Sequence, residues 1–175
     1  MIKAAGCVFT DGKLILAGYQ KHKKTPMITG IGGKLEERED PIQGAWRETL
    51  EELFEWDTIP EEILMFCIDI PPKESFTQNQ YIQFIYDFKV LERVLQECYI
   101  KGIQTKVYEK FPFTLQELFF DRDPKGEHVE VDQLVLLPME SQMIARHFLR
   151  DIGMIRGDDR QDRCLIVNSD SEEES

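Results

Sequence analysis

Between Gly30 and Glu55 the chain reads GIGGKLEEREDPIQGAWRETLEELFE, and no other stretch restricts the fold as much. Gly30, Gly32 and Gly33 open it, and Lys34 leads into an acidic loop with Glu36, Glu37, Glu39 and Asp40. A helix is predicted next. Asp40 suits an N-cap, and Pro41 suits the first helical position, where its missing N–H would be unpaired in any case. At about 100° per residue, Ile42, Trp46, Leu50 and Leu53 share one side of that helix. Glu48, Glu51, Glu52 and Glu55 share the other, at spacings i, i+3, i+4 and i+7.

Stacked carboxylates repel one another by a few tenths of a kcal/mol per pair (~0.3) in isolated helices. A plain amphipathic helix relieves this with Lys or Arg at the same spacing. Arg47 is the basic residue of this helix; it reaches Glu51 at i+4 but cannot neutralise the group. Either the face is solvated and acidic, or the counter-charge is a hard divalent cation. Mg²⁺ suits oxygen ligands and keeps several waters, which leaves room for a phosphate.

The spacing resembles the Nudix box, G-x5-E-x7-R-E-U-x-E-E-x-G-U, where U is a bulky aliphatic. Gly33, Glu39, Arg47, Glu48, Glu51 and Glu52 occupy its positions without a gap. Thr49, Phe54 and Glu55 depart from it, at an aliphatic position, the second glycine and the last aliphatic. With no glycine for the left-handed turn that ends many helices, α-helix is expected to continue toward Trp56.

The resemblance implies an α/β fold, an α/β/α sandwich with a mixed β-sheet between helices. It implies hydrolysis of a pyrophosphate bond in a nucleoside diphosphate linked to a further group. It also implies that Glu48, Glu51 and Glu52 hold Mg²⁺ or Mn²⁺, with the Gly32 carbonyl as a further ligand and Glu39 either binding the metal through water or supporting the helix acids. Glu52 would double as the base, and Arg47 would orient a glutamate carboxylate. Gly33 and Lys34 are candidate substrate contacts. So are Lys21, Lys23 and Lys24, from a basic cluster between a strand and the glycine turn that reads equally as a solvated loop. A further acid from outside the box is expected; Glu74, Glu109, Glu127 and Glu130 all qualify.

The chain is 175 residues long and 42% hydrophobic, enough for one domain with a real core. Its formal net charge is −12, which argues against duplex nucleic acid held by bulk charge but not against a polyphosphate arriving with its metal. Residues 1–155 are expected to form the domain and 156–175 an acidic, disordered tail. Cys7, Cys67, Cys98 and Cys164 are scattered without C-x-x-C pairing, as expected for reduced core thiols. No apolar run approaches the ~18 residues of a membrane span. A cytoplasmic protein is expected, or a viral one acting inside a host cell. His22, His128 and His147 are too far apart in sequence to suggest a zinc site.

Along the chain, Ile2 to Thr10 and Leu14 to Tyr19 are predicted strands around an Asp11-Gly12 turn. Ile63 to Ile70, a continuous apolar run between prolines, reads as a buried strand, and Gln80 to Val90 as another. Leu91 to Cys98 has helical spacing, and Thr114 can cap a short helix through Phe120. Val129 to Leu137 is a strand candidate and Glu140 to Ile152 a final helix.

On substrate, the G-x-G-G-K turn resembles that of enzymes hydrolysing oxidised nucleoside triphosphates such as 8-oxo-dGTP. This favours a triphosphate cleaved to monophosphate and pyrophosphate. Pro71 and Pro72 point weakly toward ADP-ribose, and the Lys21 to Lys24 cluster toward capped RNA. Two readings outside enzymes remain: a nucleotide-binding module without chemistry, and a scaffold whose acidic tail holds a basic partner. Trp56, Tyr81 and Phe84 could stack on a base or belong to the core.

Overall fold

The computed structural model describes residues 1–21, 27–125 and 129–138. The calls for Lys23, Lys24, Glu127, the three histidines, Cys164, the final helix and the acidic tail lie outside them.

Strands β1 (Ala4–Phe9) and β2 (Leu14–Gln20) flank the predicted turn, where the Asp11 carboxylate accepts the N–H groups of Lys13 and Leu14, both at 2.8 Å. The glycine-rich stretch forms two short strands, β3 (Met27–Thr29) and β4 (Ile31–Lys34). Helix α1 (Pro41–Phe54) follows, and Asp40 accepts the Ile42 N–H at 3.1 Å as its N-cap. The chain continues through α2 (Glu61–Ile68), the hairpin β5 (Glu74–Gln78) and β6 (Tyr81–Tyr86), α3 (Phe88–Ile100), α4 (Leu115–Phe120) and β7 (Gln133–Pro138).

The fold is mixed α/β, as expected. One sheet runs β4-β1-β6-β5, with β1 and β6 parallel and the outer pairings antiparallel; the other runs β3-β2-β7 and is antiparallel. Helix α1 packs on β1 and β4, α2 packs on α1, and α3 on α2. Alternation along β1 turns Ala5, Cys7 and Phe9 into the core. Phe9 meets Trp46 at 5.7 Å between ring centroids, and Trp46 donates its indole N–H to the Tyr86 hydroxyl at 3.0 Å. The apolar stripe of α1 is therefore what anchors it: Trp46, Leu50 and Leu53 are fully buried. Thr49, at the box's aliphatic position, is buried as well and bonds back to the Ala45 carbonyl at 2.7 Å.

Four expectations need correction. Ile63 to Ile70 is helical over Glu61–Ile68, with Ile63 and Cys67 buried at i, i+4 spacing and Met65 exposed. Hydropathy could not separate the alternatives, because a short apolar run satisfies a buried strand and a buried helix equally. The strand predicted from Gln80 to Val90 stops at Tyr86, and α3 starts at Phe88, three residues before the helical spacing becomes clear. Strand β7 begins at Gln133, not Val129. Finally, α1 does not continue toward Trp56: Glu55 itself takes the left-handed conformation, φ 49° and ψ 43°, and its N–H returns to the Glu51 carbonyl at 2.7 Å.

Thr114 caps α4 as predicted, within a reciprocal capping box with Glu117. Cys7, Cys67 and Cys98 are buried free thiols, and burial pushes the Cys7 thiol up to about 12. Among the described residues no helix is long and apolar enough to cross a membrane.

Candidate functional site

The side of α1 opposite its apolar stripe faces the β4 turn and the loop after it. Arg47 lies at its centre with 13% of its side chain exposed. Its Nε donates to Glu39 Oε1 at 2.8 Å and its Nη2 to Glu39 Oε2 at 3.1 Å, a two-point fork. Nη1 donates to Glu48 Oε1 at 2.9 Å and Glu51 Oε2 at 3.1 Å, and Nη2 also reaches the Lys34 carbonyl at 2.9 Å. One guanidinium thus gathers three carboxylates and the end of β4.

Glu39 also accepts the Glu36 N–H at 2.9 Å, so both of its oxygens are engaged. Burial works to raise its pKa, but the hydrogen bonds from Arg47 and Glu36 win and hold it below the usual carboxylate range. Glu39 therefore ties the loop to Arg47, with one hydrogen bond on Oε1 and two on Oε2 among the described residues.

Glu52 is 3% exposed and accepts the Gly32 N–H through Oε2 at 3.1 Å. Burial raises its pKa well above the ordinary value, and the charges of Glu130, Glu48 and Glu55 push the same way. Burial also raises Glu48, against Arg47, with Glu51 and Glu130 adding to the rise. Of the three candidate acids outside the box that are among the described residues, Glu130 is the one whose charge acts on these glutamates. Glu74 and Glu109 are not brought to them.

The glycines have distinct jobs. A Cβ on Gly33 would stand 2.3 Å from Glu48 Oε2, so the missing side chain makes room for that carboxylate. Gly32 has φ 144°, and a Cβ there would meet the Ala5 carbonyl oxygen and Gly6 Cα, both at 2.6 Å. Two different outcomes follow. Gly33→Ala is expected to push aside the Glu48 carboxylate, the far end of a flexible side chain, with a far smaller drop in melting temperature than the second variant. Gly32→Ala collides with backbone and is expected to cost about 2 kcal/mol or more, read from denaturant unfolding.

A cleft of about 970 Å³ opens beside the turn, lined by Met1 to Ala4, Thr29, Gly30, Gly32, Lys34 to Glu39, and Gln78 to Tyr81. Lys34 is on it, and no ion pair joins Lys34 to Glu36 or Glu37 among the described residues. Lys21 is not on it: it ends β2, with its N–H on the Asp132 carboxylate at 2.8 Å. Of the three aromatics considered for stacking, Tyr81 lines the cleft. Phe84 is core, and Trp56 is packed on Phe54 and Phe111 with its indole N–H on the Gln104 carbonyl at 2.9 Å.

Among the described residues no three His, Cys, Asp or Glu side chains stand converged as a ready metal cage. The donor chemistry nevertheless fits a hard cation. Glu48 and Glu51 each give one oxygen to Arg47, and Glu52 gives one to Gly32. The hydrogen bonds that position these acids leave each with its second oxygen.

Two residues were not anticipated as site components. Glu55 is a departure from the pattern, and Arg122 lies between the helix predicted through Phe120 and the strand predicted from Val129, with no periodicity to mark it. Arg122, 2% exposed, donates to the carbonyls of Glu52 and Val131 at 2.9 Å each and to that of Leu53.

No family model matches the chain, and neither does any curated protein. Among solved structures it is similar to a hydrolase of the Nudix family from Clostridium perfringens, at 15% identity over 94% of this chain and 99% of that one. The TM-score is 0.38, too loose a likeness to carry an argument.

Proposed function

We propose that this chain is a Nudix-type hydrolase cleaving a pyrophosphate bond in a nucleoside diphosphate derivative with Mg²⁺ or Mn²⁺. The observation that carries the reading is the arrangement of the α1 acids. Among the described residues each is held by one oxygen, to Arg47 or to the Gly32 N–H, with no hydrogen bond on the other. Glu48, Glu51, Glu52 and Glu130, with the Gly32 carbonyl, would hold the cation. When bound, it neutralises charge on the phosphate oxygens and makes a water acidic enough to attack.

The rest falls to the protein's own groups. Glu52 acts in its ionised form, and its carboxylate, whose proton affinity burial raises, takes the proton of the attacking water. The water oxygen bonds to phosphorus, the bridging P–O bond breaks, and the second phosphate leaves with its electron pair. Arg47 keeps Glu48 and Glu51 oriented throughout and does not touch the reacting atoms. The cleft beside Gly32 has the volume typical of small-molecule sites, and we assign the nucleoside to it, with the Lys34 ammonium and the Tyr81 ring at its wall. Among substrates, the glycine turn favours an oxidised or ordinary nucleoside triphosphate giving monophosphate and pyrophosphate.

A Mg²⁺-dependent screen over nucleoside triphosphates, their oxidised forms, ADP-ribose, dinucleoside polyphosphates and capped RNA tests the reading. Triphosphates are expected to yield monophosphate and pyrophosphate, with ¹⁸O from water in one product. Absence of turnover on every compound with either metal would overturn the hydrolase reading. Turnover of ADP-ribose or capped RNA alone would keep the chemistry and replace the substrate.

A further inference from the structure

We infer that Glu55 and Arg122 form a clamp that positions Glu130 beside the glutamates of α1, an inference that rests on the hydrolase reading for its role in chemistry. The argument begins with the end of the helix. The last carbonyls of an α-helix have no partner within it. Here the Glu51 carbonyl is satisfied by the last bond of the helical ladder, and the three carbonyls after it by side chains from elsewhere in the chain. The Glu51 carbonyl takes the Glu55 N–H, those of Glu52 and Leu53 take the Arg122 guanidinium, and that of Phe54 takes the Thr105 hydroxyl. A cation on these carbonyls also opposes the negative end of the helix dipole.

A simple cap would stop there, but this one continues. The same Arg122 Nη2 that holds the Glu52 carbonyl donates to the Val131 carbonyl at 2.9 Å and lies 3.5 Å from Glu55 Oε1. Glu55 Oε1 in turn accepts the N–H groups of Glu130 at 2.8 Å and Val131 at 3.1 Å. Residues 130 and 131 are therefore gripped from both sides, through their N–H groups by Glu55 and through the Val131 carbonyl by Arg122. The Tyr108 ring, 5.9 Å from the guanidinium carbon, closes over Arg122.

The backbone choice at Glu55 points the same way. A non-glycine residue in the left-handed region carries a steric cost that a glycine would avoid. Glycine, however, would have no carboxylate to hold the loop. The box places an aliphatic at this position, which could not hold the loop either; Glu55 takes the left-handed turn and grips the segment that carries Glu130. Glu55 and Arg122 are positioning residues, acting through Glu130 and the Glu52 backbone.

The test compares Glu55→Gly, which keeps the left-handed turn and removes the carboxylate, with Arg122→Lys, Glu130→Gln and the Glu55→Gly/Glu130→Gln double variant. In each, amide hydrogen exchange is followed at Glu130 and Val131, Mn²⁺ binding by calorimetry, and kcat and KM on the best substrate. The clamp predicts at least tenfold faster exchange at both amides in Glu55→Gly and about tenfold weaker Mn²⁺ binding, matching Glu130→Gln. It predicts lower kcat with little change in KM, and a double variant no worse than Glu130→Gln alone. Arg122→Lys, which lacks the planar fork, should fall on the same side. Unchanged exchange, or penalties that add in the double variant, would overturn the clamp. A wild-type protein that binds no Mn²⁺ and turns over no substrate would instead overturn the hydrolase reading and the clamp's role in it, while exchange at the two amides would still report whether the grip exists.

Discussion

Glu52→Gln is expected to slow hydrolysis about a thousandfold or more and, in metal-free buffer, to raise the melting temperature. The first effect follows from removing both a ligand oxygen and the proton acceptor. The second follows from burial. Glu52 is 3% exposed, and among the described residues its side chain accepts one hydrogen bond, from Gly32 N–H to Oε2. Glutamine keeps an oxygen to accept that bond and removes a charge that lies among Glu130, Glu48 and Glu55. A gain on the order of 1 kcal/mol is typical where a site residue is strained for function.

The pH dependence has a definite sign. The folded-state pKa of Glu52 is raised above its ordinary 4.5, so between that value and the raised one the folded protein binds more protons than the unfolded chain. Stability of the wild type then falls as pH rises through this window. The melting-temperature advantage of Glu52→Gln should be absent below about 4.5, grow with pH, and level off once the buried carboxyl has ionised in the folded state. Thermal melts of both proteins in chelator across this range check it. A variant that melts lower at neutral pH would contradict the assignment of Glu52 as a buried, uncompensated acid.

Arg47→Met should have the opposite signature, losing activity and stability together. Arg47 makes five hydrogen bonds, to three carboxylates and the Lys34 carbonyl. Removing it strands Glu39, whose side chain is 4% exposed, beside Glu48 and Glu51. Breaking a largely buried ion pair from one side costs about 3 kcal/mol. Arg47→Lys should rescue little, because an ammonium cannot reproduce the fork on Glu39. Glu39 is held below the usual carboxylate range in the wild type, so its contribution is present at neutral pH and lost as pH falls through that depressed value. The stability gap between wild type and Arg47→Met should therefore narrow in acid. Urea unfolding at neutral and acidic pH measures it, and a gap independent of pH would remove Glu39 from the pairing.

How much of this was legible beforehand differs from element to element. Helix α1 was readable from its N-cap, proline and apolar stripe, and the grouping of Glu48, Glu51 and Glu52 from their spacing. Both are consequences of a 3.6-residue period that any short window displays. Helix α2 was not readable, because its apolar run has the same composition whether it is buried as helix or as strand. Glu39 was assigned to the metal or to support, and the structure engages both of its oxygens in support.

What the residues determined unaided was therefore local: where a helix begins, which side of it is apolar, and which acids share a face. Tertiary structure alone decided that Glu130 rather than Glu74 or Glu109 joins those acids, and that α1 ends at Glu55. Both outcomes depend on bonds between groups far apart in the chain, Arg122 to the Glu52 carbonyl and Glu55 to the Glu130 N–H. No repeat or spacing in the sequence records such a pairing, since it exists only once the sheets have brought the two segments together.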